Sequence, residues 1–73
     1  MKRIILEIDQ HATFAHTGKY IPIQRFVART DKICGCQEFN DGAVKVTINQ
    51  GEDRPLTSVI VVNSFDDVAE AML

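Results

Sequence analysis

Four consecutive β-branched residues, Val59-Ile60-Val61-Val62, constrain the fold of this chain more than any other feature. Side chains of this kind favour β-strands, and the run has no polar break. A strand that is apolar on both sides is typical of a sheet interior, where both faces are covered. We therefore expect a strand over residues 57–63 that lies innermost in a sheet.

The element expected to cover the second face of this strand is a short helix over residues 65–73. Ser64 is a good N-cap, and Asp66 and Asp67 suit the positive end of a helix dipole. The apolar residues of the segment recur at the spacing of one helical stripe. They are Phe65, Val68, Ala69 and Met72.

Four more strands are predicted from alternating polar and apolar residues. They cover residues 2–9, 19–30, 32–39 and 43–49. The alternation is clearest in the last of them, and Asn40-Asp41-Gly42 before it is a strong hairpin signal. A slip of the apolar phase near Gln24–Arg25 predicts a bulge.

Residues 10–18 have the composition of a loop, and we expect Phe14 to fold back onto the core.

The fold class that follows is α+β, as one small domain over residues 1–73. The 73 residues are 45% hydrophobic and 25% charged, which is ordinary for a globular chain and argues against disorder. We expect a curved, antiparallel five-stranded meander, close to a small barrel, with the C-terminal helix packed on it. The alternative is an open sheet whose exposed edge pairs with a second copy.

Cellular placement is predicted from the absence of export features. Glu7 and Asp9 end the first apolar run too early for a signal peptide. No stretch approaches the roughly 20 apolar residues that span a bilayer. Two cysteines are too few for a secreted disulfide scaffold. We expect a cytoplasmic protein with no membrane partner.

One possible metal site combines Cys34 and Cys36 with His11 and His16, a ligand set that zinc accepts tetrahedrally. The C-x-C spacing is tighter than the usual spacing of zinc ligands. On a regular strand the two cysteines point to the same face. Because free cysteines commonly behave as small buried hydrophobic residues, we predict no cofactor and keep a zinc-stabilised module as an alternative.

A second candidate site is the basic and aromatic stretch 19–32. Cations interleaved with aromatic rings suit single-stranded nucleic acid, which needs phosphate contacts and stacking platforms. The net charge of −2 and the lack of any known nucleic-acid-binding motif argue against a general binder. Nucleic-acid binding is therefore an alternative function, and a solvated polar face is the simpler interpretation.

No nucleophile-and-base motif, phosphate loop or metalloprotease motif occurs, so we predict that the chain is not an enzyme. The leading prediction is a non-catalytic protein-interaction module that binds a partner or itself, as a homodimer. The apolar chain end needs cover from the domain or from a neighbour. The predicted partner-binding residues are Lys19, Tyr20, Arg25, Arg29, Lys32, Met72 and Leu73.

Overall fold

A computed structural model describes residues 2–51, 53–54 and 56–73 and shows an α+β arrangement with two antiparallel sheets. The two-stranded sheet consists of β1 (Arg3–Glu7) and β2 (Arg25–Arg29). The three-stranded sheet has the order β3 (Ile33–Glu38), β4 (Val44–Ile48), β5 (Thr57–Val61). The helices are α1 (Gln10–Thr17) and α2 (Phe65–Met72), and a 3-10 helix (Thr30–Lys32) joins β2 to β3.

The predicted single five-stranded meander is wrong, and the strands do not close into a barrel. The two sheets meet through an isolated bridge between Ile8 and Val61. The long second strand expected over residues 19–30 is reduced to Arg25–Arg29, and the chain before it, which contains Pro22, is irregular. Since proline cannot donate to a ladder, this segment cannot extend the sheet as a regular central strand.

The centre of the three-stranded sheet is β4, whereas the sequence predicted β5 in that place. Val44, Val46 and Ile48 are all buried, which confirms the inward phase of this strand. The register sets Val46 opposite Val59 and Val44 opposite Val61, so the core lies on one face of the sheet.

Both faces of β5 are nevertheless covered, as the continuous apolar run predicts. Val59 and Val61 face the core, and Ile60, on the other face, is 1% exposed. The expected cover was the C-terminal helix, but the helix that packs against β5 is α1. Val62, the last residue of the run, lies beyond the strand and is exposed.

Helix α1 occupies the segment that the sequence predicted as a loop. The Asp9 carboxylate caps it by accepting a hydrogen bond from the Ala12 N–H at 3.0 Å. Gly18 ends it with a φ of +75°, the left-handed conformation that glycine adopts at helix ends. Phe14 is 54% exposed, so the predicted return of this ring to the core is wrong.

The residue of α1 that is fully buried is polar. The Thr13 hydroxyl accepts a hydrogen bond from the Ile60 N–H at 2.9 Å and donates to the Ile60 carbonyl at 3.3 Å. The Asp9 N–H donates to the same carbonyl at 2.9 Å. A helix side chain and the end of β1 therefore satisfy the backbone of β5 where a neighbouring strand would otherwise do so.

The C-terminal helix and its cap are confirmed. The Ser64 hydroxyl accepts from the Asp67 N–H at 3.1 Å, and Val68 is fully buried, with Phe65 partly buried beside the core. Helix α2 packs against β3, β1 and the 3-10 helix. The two helices of the described chain have eight residues each, too few to cross a membrane.

We predict that Thr13→Val destabilises the protein more than Thr13→Ser does. Valine keeps the shape of threonine but leaves the buried Ile60 N–H without a partner, which costs about 1–3 kcal/mol. Serine keeps the hydroxyl and loses one methyl group, which costs about 1 kcal/mol. Chemical denaturation followed by circular dichroism measures both. A valine variant as stable as wild type would contradict this role of the hydroxyl.

Candidate functional site

The candidate site is built on the backbone of β2. The hydrogen bonds at the two ends of the β1–β2 ladder establish which residues of β2 are bonded to β1. The Ile8 N–H donates to the Gln24 carbonyl at 2.8 Å, and the Thr30 N–H donates to the Lys2 carbonyl at 3.1 Å. The pairs Ile8–Gln24 and Lys2–Thr30 continue the register in which β1 and β2 are paired. In an antiparallel ladder, hydrogen-bonded pairs alternate with pairs whose backbone groups point away from each other.

The alternation turns the N–H and C=O groups of Arg25, Val27 and Arg29 away from β1. No other backbone group in the described chain bonds to them. The corresponding side of β1 is occupied from Ile5 to Glu7. The Asn63 side chain accepts from the Glu7 N–H at 2.8 Å and donates to the Ile5 carbonyl at 2.9 Å. The ribbon therefore has one occupied edge and one open edge, and the open edge belongs to β2.

A groove of about 440 Å³ runs beside this open edge and is here called the β2 groove. Its other wall is formed by the end of β4 and the loop after it. Residues lining it include Phe26, Val27, Arg29, Lys32, Asn49 and Arg54. A narrower apolar cleft, lined by Phe26 and Ile48 among others, adjoins it. The open edge of β2 therefore borders the β2 groove, and the apolar side chains of Phe26 and Ile48 line that groove.

The β2 groove is positively charged, although the whole chain carries −2. Arg29, Lys32 and Arg54 line it, and none of the carboxylates that the structure describes does so. Asp31 accepts two hydrogen bonds from Arg29, at 3.1 Å and 2.7 Å, which hold the guanidinium in place. The groove is therefore suited to a partner of opposite charge.

The outer face of the β1–β2 ribbon carries an exposed apolar pair. Ile5 lies directly opposite Val27, and the two residues are 54% and 60% exposed. Charged residues flank them on the same face, with Arg3 opposite Arg29 and Glu7 opposite Arg25. The outer face of the ribbon is therefore a small apolar pair with charged residues on both sides.

The predicted partner-binding residues are divided between different parts of the molecule. Arg25, Arg29 and Lys32 lie at or beside the open edge. Lys19 and Tyr20 line a separate cleft next to α1, together with Lys45. The basic and aromatic stretch 19–32 therefore does not form one continuous surface.

The other predicted partner-binding residues, Met72 and Leu73, lie at the end of α2. They are 37% and 91% exposed, and the Leu73 carbonyl accepts a hydrogen bond from Lys2 Nζ at 3.2 Å. Of the groove residues named above, Phe26, Val27, Asn49 and Arg54 were not among the predicted partner-binding residues. Val27 is a strand residue of ordinary type, and Arg54 lies in a polar loop without a pattern, so neither gave a sequence signal.

The four proposed zinc ligands do not come together. Cys34 is the extra residue of a bulge between Ile33 and Gly35 and is exposed, whereas Cys36 is half-buried against the core. His11 is exposed on α1. Among the residues placed by the structure, no three His, Cys, Asp or Glu side chains form a group able to hold a metal ion.

His16 instead joins the end of α1 to the β3–β4 turn. Its ring stacks on Phe39 with centroids 5.3 Å apart, and its Nε2 lies 3.6 Å from Oδ2 of Asp41. These contacts give His16 a packing role between α1 and the β3–β4 turn, without a bound ligand.

Comparison of the chain with protein-family models, with curated proteins and with solved structures finds no match.

We predict that the two thiols differ in reactivity. Burial, together with the negative charge of Glu38, raises the pKa of the Cys36 thiol, so less of it is thiolate at neutral pH. Iodoacetamide should therefore modify Cys34 before Cys36. In the Cys34→Ser variant, the slow modification of Cys36 should become faster as the pH is raised. Mass spectrometry follows both rates, and Cys36→Ser is the matched control. Equal rates at neutral pH in the folded protein would contradict the prediction.

Proposed function

We propose that this protein is a non-catalytic interaction module that binds an extended segment of a partner protein along the open edge of β2. The observation that carries the proposal is the outward direction of the backbone groups of Arg25, Val27 and Arg29. Unpaired N–H and C=O groups on an edge strand are a template for one more strand. Peptide recognition by strand addition uses this arrangement.

The surroundings of the edge support the same mode of binding. A strand added to β2 would direct alternate side chains to the two faces of the ribbon. On one face they would enter the β2 groove above Phe26 and Ile48. On the other face they would lie beside Val27, next to Ile5. Backbone hydrogen bonds would supply affinity, and these side-chain contacts would supply specificity.

Binding of single-stranded nucleic acid is the second candidate, favoured by the three cations of the β2 groove. Phosphate contacts of this kind release counterions and make binding strongly dependent on salt. Of the two aromatic residues expected to stack on bases, Phe26 lines the β2 groove, whereas Tyr20 lies in another cleft. The backbone edge of β2 matches a peptide better, because a peptide offers complementary N–H and C=O groups along its length.

The proposed setting is the cytoplasm, where the free thiols Cys34 and Cys36 stay reduced. Self-association remains a prediction, supported by the exposed apolar residues Met72 and Leu73. Light scattering at micromolar concentration tests it, and a strictly monomeric protein would remove it.

We predict that Val27→Pro abolishes strand addition without unfolding the protein. Proline removes an N–H that points outward, while the ladder bonds to β1 are made by the neighbouring residues. An NMR titration with a peptide of alternating threonine and valine should shift the amides of residues 25–29 in wild type and leave them unchanged in the variant.

The matched control is Val27→Thr, which keeps the N–H and should bind like wild type. Circular dichroism checks that the proline variant is folded. If folded Val27→Pro still binds the peptide with the same amide shifts, the open edge is not the binding site and the proposal fails.

A further inference from the structure

We propose that the segment received by β2 is acidic, with carboxylates at two positions four residues apart and an apolar residue midway between them. This inference rests on the proposed function and adds the chemistry of the partner. It follows from the positions of the cations relative to the open edge.

The spacing comes from the outer face of β2. Arg25, Val27 and Arg29 occupy alternate positions, so their side chains share that face. On an added antiparallel strand, the residue directly opposite each has its Cβ about 4.5–5.5 Å away. A carboxylate opposite each arginine and an apolar residue opposite Val27 would complement all three. The resulting pattern is acidic–x–apolar–x–acidic, and its two x residues face the β2 groove.

Among the residues that the structure describes, which do not include Glu52, the charge around the edge remains positive when the carboxylates are counted. Glu7 lies across from Arg25, and Asp31 is bonded to Arg29. Asp53 is exposed in the loop that carries Arg54. Against these three carboxylates stand five cations, which are Arg3, Arg25, Arg29, Lys32 and Arg54. An acidic segment is therefore attracted both by the outer face and by the groove.

The same cations oppose pairing of β2 with a second copy of itself. In the symmetric antiparallel register that pairs all three outward residues, Val27 meets Val27 of the second copy. Arg25 then lies opposite Arg29 at both ends. Like charges directly opposite each other destabilise a strand pair, and charged edge strands are a common protection against self-pairing. The edge thus discriminates between an acidic strand and its own sequence.

The test compares three peptides of one length and one alternating pattern that carry glutamate, glutamine or lysine at the two flanking positions. The glutamate peptide should bind about three- to tenfold more tightly than the glutamine peptide, and the lysine peptide more weakly than both. Raising the salt concentration should reduce the preference for glutamate, because exposed charges are screened. NMR shifts of the amides of residues 25–29 locate the binding in each case.

Arg25→Gln should reduce the preference for the glutamate peptide and leave binding of the glutamine peptide unchanged. Lys45→Gln is the matched control, because Lys45 lies on the outward face of β4 and does not line the β2 groove. Equal affinity for glutamate and glutamine peptides at the β2 edge would overturn the inference and leave the proposed function standing. If no peptide shifts these amides, or if only a single-stranded oligonucleotide does, both are overturned.

Discussion

The hydrogen bonds between the Thr13 hydroxyl and the Ile60 backbone determine how the rest of the molecule is arranged. They hold α1 against the outer face of β5, where Ile60 would otherwise be an exposed apolar residue on an edge strand. Together with the bond from the Asp9 N–H, they satisfy the backbone of Ile60 inside the protein. Because an unsatisfied buried backbone group is costly, this contact makes β5 a stable edge without a complete neighbouring strand.

The β1–β2 ribbon is occupied on the side of β1 that faces β5. Ile8, just after β1, forms a bridge with Val61, and the Asn63 side chain bonds the Ile5 carbonyl and the Glu7 N–H. In the part of the chain that the structure describes, no side chain bonds the outer edge of the other ribbon strand, β2, in this way. Its protection is electrostatic, since Arg25 and Arg29 flank Val27. An edge protected by charge excludes like-charged strands and accepts oppositely charged ones, so protection from self-pairing and selection of a partner have the same physical origin.

Elements with regular apolar periodicity were predicted correctly. The alternation of Val44, Val46 and Ile48 and the stripe beginning at Phe65 after the Ser64 cap both correspond to the structure. Helix α1 was missed because its buried residue is a threonine and its phenylalanine is exposed, so no apolar stripe marks it. Its caps, Asp9 and Gly18, were the available signals. At the candidate site, Arg25, Arg29 and Lys32 were predicted, whereas Arg54 reaches the groove through a loop whose path no periodicity indicates.

The sequence by itself determined which side chains of β4 are inside, because their burial follows the alternating period of the strand. It also determined that β5 must be covered on both faces. Only the tertiary structure decided that α1 supplies the second cover, that β4 is the central strand, and that β2 keeps an open edge. The physical reason is that strand order and edge occupancy depend on hydrogen bonds between residues distant in sequence. Every residue except proline carries the same backbone N–H and C=O groups, so the pattern of side chains alone does not encode these bonds.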